Sequence, residues 1–337
     1  MANSLRSHDE SQFQESKMSA GSSVSNQSNP TDVRRALKDG MAQLRSANIG
    51  SHTLTAEVLL MHALGRDRAW VYSHPEECLD RDAAEKYFAF IHRRIAGEPT
   101  QYITGKQEFW GLDFEVNPAV LIPRPETEHV MEVALARLGE RGLKIHMDSG
   151  APRETILVAD VGTGSGCLAV SVAHELPHAK VFATDISADA LEVARRNADR
   201  NGVAGRIQFL EADLLAPFLK NSPAADGTAA FPKQFDVIVS NPPYIGRYEE
   251  SSLEREVRDH EPHTALFGGP TGVELYSRLI DQAGELLSDR GLLVLELGHD
   301  SAERVREIFD SQTGWTNLAI TFDLAGIPRV LAAERSR

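Results

Sequence analysis

Hydrophobic residues in the first third of the chain recur every three or four positions. This spacing is typical of helices that bury one face, and it occurs in three stretches: residues 33–44, 54–64 and 87–95. Pro30-Thr31-Asp32 precedes the first stretch as a helix start signal, and Gly97 ends the last one. The pattern predicts a small helical bundle over residues 31–97.

The pattern changes after the predicted bundle. Residues 101–105 and 109–116 are two short stretches rich in β-forming residues around glycines. Such paired stretches are typical of a β-hairpin. We therefore predict a hairpin linker over residues 98–120, with strands in both stretches.

From residue 121 onward, short apolar runs alternate with helical patterns. Strands are predicted at residues 156–159, 180–184, 207–210, 235–239 and 292–297, with two closing strands near Ile320 and Val330. Helices are predicted after Gly166 and over residues 188–201, 273–287 and 302–309. Repeated strand–helix units predict an α/β fold, a parallel sheet with helices on both faces. Its ligands are expected beyond the carboxyl ends of the strands.

Three further segments lack these patterns. Residues 1–30 hold nine serines and little apolar surface, so we predict a disordered tail without chemistry. Residues 141–154 and 219–234 are polar and aperiodic, which predicts surface insertions.

Composition and charge narrow the classes of partner. The chain is 42% hydrophobic and carries a net charge of −14, and residues 111–337 hold 22 basic against 35 acidic residues. This balance disfavours a nucleic-acid partner. Two cysteines exclude a disulfide framework. Without an apolar run of membrane-spanning length or a secretory signal, we expect no membrane partner and a cytoplasmic location.

A glycine-rich turn follows the strand at residues 156–159. It reads G-x-G-x-G and contains Gly162, Thr163, Gly164, Ser165 and Gly166. Glycines allow a tight turn and close approach to a ligand, and free N–H groups at the following helix start favour a polar ligand edge. Cys167 stands where a dinucleotide fingerprint requires its last glycine, and no phosphate loop matches. A purely structural turn is the alternative.

Asp185 closes the next predicted strand. A carboxylate at this position can accept hydrogen bonds from both hydroxyls of a ribose. Together with the glycine-rich turn, it predicts a site for an adenosine-like cofactor.

The tetrapeptide Asn241-Pro242-Pro243-Tyr244 follows the strand at residues 235–239. The prolines restrict the backbone, so the Asn241 side chain and the Pro242 carbonyl are held rigidly at the sheet edge. These two acceptors suit the two hydrogens of a planar amino group, and Tyr244 offers a face for stacking. A proline-rich turn or a docking peptide is the alternative.

These motifs resemble those of class I S-adenosylmethionine-dependent methyltransferases that methylate planar nitrogens. Within that group, the chain most resembles the glutamine methyltransferases of peptide-chain release factors, the PrmC/HemK family. Three more segments carry the resemblance: residues 98–105, 121–128 and 261–269. It extends from about residue 31 to the end, apart from the two insertions.

The resemblance implies a fold and an activity. The fold is a Rossmann-like class I methyltransferase sheet over residues 121–337, joined by the hairpin to a helical substrate-recognition domain over residues 31–97. The activity is methyl transfer from S-adenosyl-L-methionine to the side-chain amide nitrogen of the glutamine in the Gly-Gly-Gln motif of release factors.

The resemblance also implies roles for individual residues. The five residues Gly162 to Gly166 line the methionine and ribose parts of the cofactor, and Asp185 binds the ribose hydroxyls. Asp213 and Leu214 contact the adenine. Asn241, Pro242, Pro243 and Tyr244 hold the substrate amide, with Asn241, Pro242 and Tyr244 as catalytic residues and Asn241 also next to the cofactor.

Some residues receive no role, and some alternatives stay open. We give Arg124 and Glu126 no catalytic role, because capping and ion pairing would explain them equally well, and we interpret His260 and His263 as parts of an exposed loop, so no metal is expected. A glutamine methyltransferase of a ribosomal protein shares these motifs. A nucleic-acid amino-group methyltransferase, a nucleotide-dependent oxidoreductase and a non-catalytic cofactor-binding regulator are further alternatives.

Overall fold

A computed structural model describes residues 31–140, 155–219 and 231–336. The predicted tail, the insertion at residues 141–154 and most of the stretch at residues 219–234 lie outside the described residues. None of the helices in the described ranges combines the length and the apolar character needed to cross a membrane.

The amino-terminal region is helical, as predicted. Its helices are α1 (Val33–Ser46), α2 (His52–Leu64), α3 (Arg68–Ser73), α4 (Arg81–Ile95) and α5 (Thr100–Thr104). Aspartates cap α1, α3 and α4 by accepting hydrogen bonds from first-turn N–H groups, and the stripes of α1, α2 and α4 meet in one core. Helix α3 was not predicted because only Val71 of its six residues is buried.

The prediction for the linker is wrong in one of its two stretches. Residues 101–105 do not form a strand, because Pro99 precedes α5 and Gly105 ends it in the left-handed region at φ 70°. The hairpin pairs β1 (Lys106–Phe109) with β2 (Leu112–Glu115). Its two turn residues, Trp110 and Gly111, both have positive φ, which matches the twist that two-residue hairpins need.

The remaining elements alternate along the chain. They are α6 (Glu128–Glu140), β3 (Ile156–Val161), α7 (Cys167–Glu175), β4 (Ala179–Asp185), α8 (Ala188–Arg200), β5 (Ile207–Glu211), α9 (Ala216–Leu219), β6 (Phe235–Ser240), β7 (Ile245–Gly246), α10 (Arg255–His260), α11 (His263–Leu266), β8 (Phe267–Gly269), α12 (Glu274–Leu286), β9 (Leu287–Glu296), α13 (Ala302–Asp310), β10 (Trp315–Phe322) and β11 (Pro328–Arg335). All the predicted strands from residue 156 onward are therefore confirmed.

Seven strands form one sheet in the order β10-β11-β9-β6-β3-β4-β5. The five strands from β9 to β5 are parallel, and β11 runs antiparallel to both of its neighbours. Alternate residues of the central strands enter two separate cores, one on each face. Val158 and Val181 pack with α6 and α7, whereas Ala159 and Phe182 face the side of α12. Burial on both faces explains why these strands are continuously apolar.

The order of the strands locates a ligand site. The chain leaves β3 toward β4 on one side and returns to β6 on the other. Ligands of open α/β sheets bind beyond the carboxyl ends of strands at such a reversal. The residues that follow β3, β4, β5 and β6 therefore share one edge of the sheet.

Candidate active site

A cavity of about 380 Å³ opens at this edge, a size within the usual range for small-molecule sites. Each of the four strand ends contributes to its wall: Gly162 and Gly164 after β3, Asp185 at the end of β4, Asp213 and Leu214 after β5, and Asn241 and Pro243 after β6. The structure thus brings the two predicted motifs to one cavity.

The glycine-rich turn is held mainly by hydrogen bonds to the end of β4. Gly162 and Thr163 donate N–H bonds to the Thr184 carbonyl, and Gly166 donates to the Thr163 carbonyl. Gly164 donates to Asp185 Oδ2 at 2.8 Å. The N–H groups of four of the five turn residues are therefore already bonded within the protein. The turn instead offers the ligand a close approach to glycine backbone.

The other three residues of the turn lie behind the cavity wall. The Thr163 hydroxyl donates to the buried Asp160 at 2.6 Å, and Ser165 is also buried. Gly166 has φ 81°, and a Cβ atom there would lie 3.0 Å from the Ala194 side chain. Its glycine is needed both for the turn and for the packing of α8 against it.

Asp185 faces the cavity with a carboxylate anchored by backbone groups. Oδ2 accepts from Gly164, and Oδ1 accepts from Ser187 at 2.9 Å. Burial raises the pKa of Asp185, and these backbone hydrogen bonds counteract it. A carboxylate has about four acceptor positions, so Asp185 keeps acceptor capacity for a ligand hydroxyl.

Asp213 and Leu214 form the opposite part of the wall. Asp213 Oδ2 accepts from Arg278 at 2.5 Å, and half of its side chain is exposed. Leu214 has φ 53°, a left-handed conformation that non-glycine residues rarely adopt. Asp213 is thus more exposed than Asp185.

Asn241 lies where two cavities meet. A smaller cavity of about 80 Å³ is lined by Asn241, Tyr244 and Arg124, among others, and it shares Leu121, Asn241 and Ala265 with the larger one. Burial raises the pKa of the Tyr244 hydroxyl well above its usual range. Pro243 lines the larger cavity, whereas Pro242 is buried and lines neither.

Gly268 and Gly272 hold residues 241–244 in place. A Cβ atom at Gly268 would lie 2.3 Å from the Pro243 carbonyl oxygen, and one at Gly272 would lie 2.3 Å from the Tyr244 carbonyl oxygen. Strands β7 and β8 pair just beyond this contact. Only glycine permits this backbone approach, which fixes the course of residues 241–244.

The segment at residues 121–128 joins the same assembly. Arg124 donates to the buried Glu261 at 2.5 Å, and Glu126 lies 3.7 Å from Arg329. Pro125 opens a short 3-10 turn over Pro125–Thr127. Arg124 and Glu126 thus each lie within ion-pairing distance of an oppositely charged side chain.

Two residues beneath Asn241 were not predicted. The Asn241 side-chain nitrogen donates to Thr127 Oγ1 at 3.0 Å, and the Thr127 hydroxyl hydrogen-bonds to the Glu296 carboxyl. Burial raises the pKa of Glu296 to about 7. Thr127 does lie in a segment that carries the resemblance, but Glu296 ends an ordinary apolar strand and gave no signal.

Around this assembly, the described residues offer neither an ionised thiol nor a metal cluster. Burial raises the pKa of Cys167 to about 12, so its thiol is protonated at neutral pH. Across the described ranges, no three His, Cys, Asp or Glu side chains cluster in a way that would hold a metal ion.

Two protein-family models match the chain. The PrmC N-terminal domain matches residues 35–105, and the methyltransferase small domain matches residues 143–256. The first corresponds to the helical region with α1 to α5, and the second spans the strands from β3 to β6 that surround the cavity.

Relatives of named function match nearly the whole chain. A release factor glutamine methyltransferase of Koribacter versatilis is 43% identical over 90% of this chain and 98% of its own length. One of Moorella thermoacetica is 40% identical over 90% of this chain and 98% of its own length. A crystal structure of a methyltransferase from Pyrococcus furiosus has 20% identity and a TM-score of 0.45, covering 73% of this chain and 98% of that one.

Proposed function

The chain belongs to the family of release factor glutamine methyltransferases, and from this membership we propose that it methylates the glutamine of the Gly-Gly-Gln motif in peptide-chain release factors. The enzyme is an S-adenosylmethionine-dependent methyltransferase, as its relatives and its methyltransferase domain show. The observation that most strongly supports the proposed site is the position of Asn241 at the junction of two cavities.

The larger cavity fits the cofactor. Its size suits a nucleoside-sized ligand, and Asp185 presents an anchored carboxylate to it. We propose that Asp185 binds the ribose hydroxyls, that Gly162 and Gly164 lie against the methionine part, and that Asp213 and Leu214 border the adenine. The roles of Thr163, Ser165 and Gly166 are to shape the turn from behind.

The smaller cavity fits the side chain of a glutamine. We propose that the Asn241 side-chain oxygen accepts one hydrogen of the amide at the junction of the cavities, with Tyr244 on the side of the smaller cavity and Pro243 on the side of the larger one. The Pro242 carbonyl is proposed as the second acceptor from the family resemblance, since Pro242 lines neither cavity. An amide nitrogen is a weak nucleophile because its lone pair is delocalised into the carbonyl. Two acceptors increase its electron density and fix its direction, and alignment of this kind supplies much of the acceleration in a displacement reaction.

The cofactor supplies an electrophilic methyl group on a positively charged sulfur. The protein holds the amide, excludes water from the small cavity and keeps the acceptors rigid through the prolines and the glycine contacts at Gly268 and Gly272. No general base is required before transfer, since the nitrogen becomes strongly acidic once it carries the methyl group.

The helical region is proposed as the substrate-recognition domain. The Arg94 guanidinium in α4 forms an ion pair with Glu256 in α10, so the bundle contacts the methyltransferase region on the side where α10 and α11 border the site. The domain boundaries at residues 30, 97 and 120, the cytoplasmic location and the absence of a nucleic-acid partner stay predictions.

A labelling experiment tests this function. Purified enzyme with S-adenosylmethionine carrying a labelled methyl group should label a release factor, and peptide mapping should locate the label on the glutamine of the Gly-Gly-Gln motif. A release factor with that glutamine changed to glutamate is the control, and a ribosomal protein fraction tests the alternative substrate. Enzyme that binds the cofactor but leaves the glutamine unlabelled would refute the proposal.

A further inference from the structure

The Asn241 side chain lies next to two buried polar residues from distant parts of the chain, Thr127 and Glu296. Thr127, which is 1% exposed, ends the turn that precedes α6, and Glu296, which is 2% exposed, is the last residue of β9. Ser240 and Leu295 are paired in the register of β6 and β9. The next residues along these strands, Asn241 and Glu296, therefore lie side by side at the sheet edge, with Thr127 between their side chains.

The hydrogen bonds among these three residues have a definite direction. Asn241 Nδ2 donates to Thr127 Oγ1 at 3.0 Å, and Thr127 Oγ1 also hydrogen-bonds to Glu296. A hydroxyl has one hydrogen, and because the Thr127 oxygen accepts from Asn241 Nδ2, that hydrogen is left for a carboxyl oxygen of Glu296, which can accept whether or not the carboxyl is protonated. The Thr127 hydrogen is therefore directed to Glu296, and the Thr127 oxygen accepts from the Asn241 amide nitrogen.

This direction decides which end of the Asn241 amide faces the substrate. With its nitrogen toward Thr127, the Asn241 oxygen is presented to the cavities, and no donor among the described residues occupies it. A reversed amide would present an NH₂ group to the NH₂ group of the substrate. The reversed arrangement would lose one hydrogen bond and oppose two donors.

We propose that Thr127 and Glu296 are positioning residues that fix the orientation of the Asn241 amide, so that its oxygen accepts a hydrogen from the substrate amide. The proposal rests on the proposed function for the identity of the substrate. The arrangement of the three side chains does not depend on it.

The cost of burying Glu296 supports a role beyond packing. Another buried glutamate of the site, Glu261, is paired with Arg124, whereas Glu296 has no salt bridge among the described residues and its Oε2 has no hydrogen-bond partner there. Burying such a group is unfavourable. An apolar residue would fill this position at the end of β9 more favourably if packing were its only function.

Three substitutions test the proposal by kinetics. Thr127→Val keeps the shape but removes the hydroxyl, so turnover should fall on the order of 10- to 100-fold through misorientation, with cofactor Kd and the release-factor KM within about twofold. Thr127→Ser should restore most of the turnover. Glu296→Gln should show a smaller loss than Thr127→Val, because a glutamine oxygen still accepts from Thr127 while its amide nitrogen allows the reverse.

A matched control and a second readout complete the test. Ser171→Ala removes a buried hydroxyl of α7 that has no hydrogen-bond partner in the described part of the chain, and it should leave turnover unchanged. Hydrogen exchange of the Asn241 side-chain amide, measured by NMR on uniformly ¹⁵N-labelled enzyme and assigned by its absence in Asn241→Asp, should be at least about tenfold faster in Thr127→Val than in wild type or Thr127→Ser.

The outcomes separate the two claims. Wild-type turnover with unchanged exchange in Thr127→Val would overturn the positioning role. So would a loss shared equally by Thr127→Ser, accompanied by weaker cofactor binding, since that pattern indicates packing alone. Failure of the wild type to methylate the release factor would refute the proposed function, and the exchange measurement would still decide the orientation of Asn241.

Discussion

The site has two ends, the cofactor end at the glycine-rich turn and the amide end at Asn241. Each contains a threonine paired with a buried carboxyl group, but the two pairs act in different ways. At the cofactor end, buried Asp160 accepts from the Thr163 hydroxyl and from the Ala169 N–H. At the amide end, buried Glu296 hydrogen-bonds to the Thr127 hydroxyl. Each end therefore has a threonine with a carboxyl group beneath it, and burial raises the pKa of both carboxyls to about 7.

The difference lies in what each pair holds. Thr163 and Asp160 fix a backbone turn at the start of α7, and Gly162 and Gly164 of that turn are proposed to lie against the cofactor. Thr127 holds the side chain of Asn241, which is the side chain proposed to contact the substrate. Damage at the cofactor end should therefore weaken cofactor binding or folding, whereas damage at the amide end should reduce turnover.

Asn241→Ala should produce the largest effect. It removes an acceptor at the junction of the cavities, so turnover should fall by about 10² to 10³, a loss comparable to that of one preorganised hydrogen-bonding group in other enzymes. Calorimetry should show cofactor Kd within about threefold of wild type. Unchanged turnover, or a loss explained entirely by cofactor affinity, would show that the two ends are not separate.

The pH dependence of stability should distinguish wild type from Glu296→Gln. A carboxyl whose pKa is raised on folding stabilises the fold below its unfolded pKa and loses that contribution as pH rises through its folded pKa. As pH rises from the ordinary carboxyl pKa near 4.5 to the raised pKa of about 7, the free energy of unfolding of wild type should fall by up to about 3 kcal/mol relative to that of the variant. Urea unfolding at intervals from pH 4 to pH 8 measures this, and parallel curves would contradict it.

Asp185→Ala should act on cofactor affinity. Loss of a charged acceptor typically costs about 1.5 to 3 kcal/mol, so cofactor Kd should rise on the order of 10- to 100-fold. Asp213→Ala is the matched control, and because that side chain is half exposed and paired with Arg278, its effect should be smaller. Equal effects at the two positions would argue against the assignment of Asp185 to the ribose.

Gly166→Ala should have the smallest effect, and Gly164→Ala is its control. Both glycines have positive φ, but only Gly166 has a neighbour within contact distance, at Ala194. The left-handed conformation costs an alanine about 1 kcal/mol, and the contact should add roughly 1 kcal/mol at Gly166. Chemical denaturation that ranks the two variants equally would show that the α8 contact carries no strain.

Features encoded by neighbouring residues could be predicted from the sequence, whereas contacts between distant residues could not. The strands from β3 to β6 were predictable because burial on both faces makes them continuously apolar, and the glycine-rich turn and the tetrapeptide are each contiguous. Helix α5 was predicted as a strand because Tyr102 and Ile103 favour β structure. Pro99 before this segment and Gly105 after it instead favour a short helix. The contact of Thr127 with Asn241 spans 114 residues, and no local pattern encodes it.

The most direct measurement is a crystal structure of the enzyme with bound cofactor and a glutamine-containing peptide. The account predicts the ribose hydroxyls on Asp185, the glutamine amide in the smaller cavity, and the Asn241 oxygen within hydrogen-bonding distance of the amide nitrogen. A cofactor bound outside the cavity of Gly162 and Asp185, or an amide that does not contact Asn241, would contradict the central claim that the two ends of the site meet at this residue.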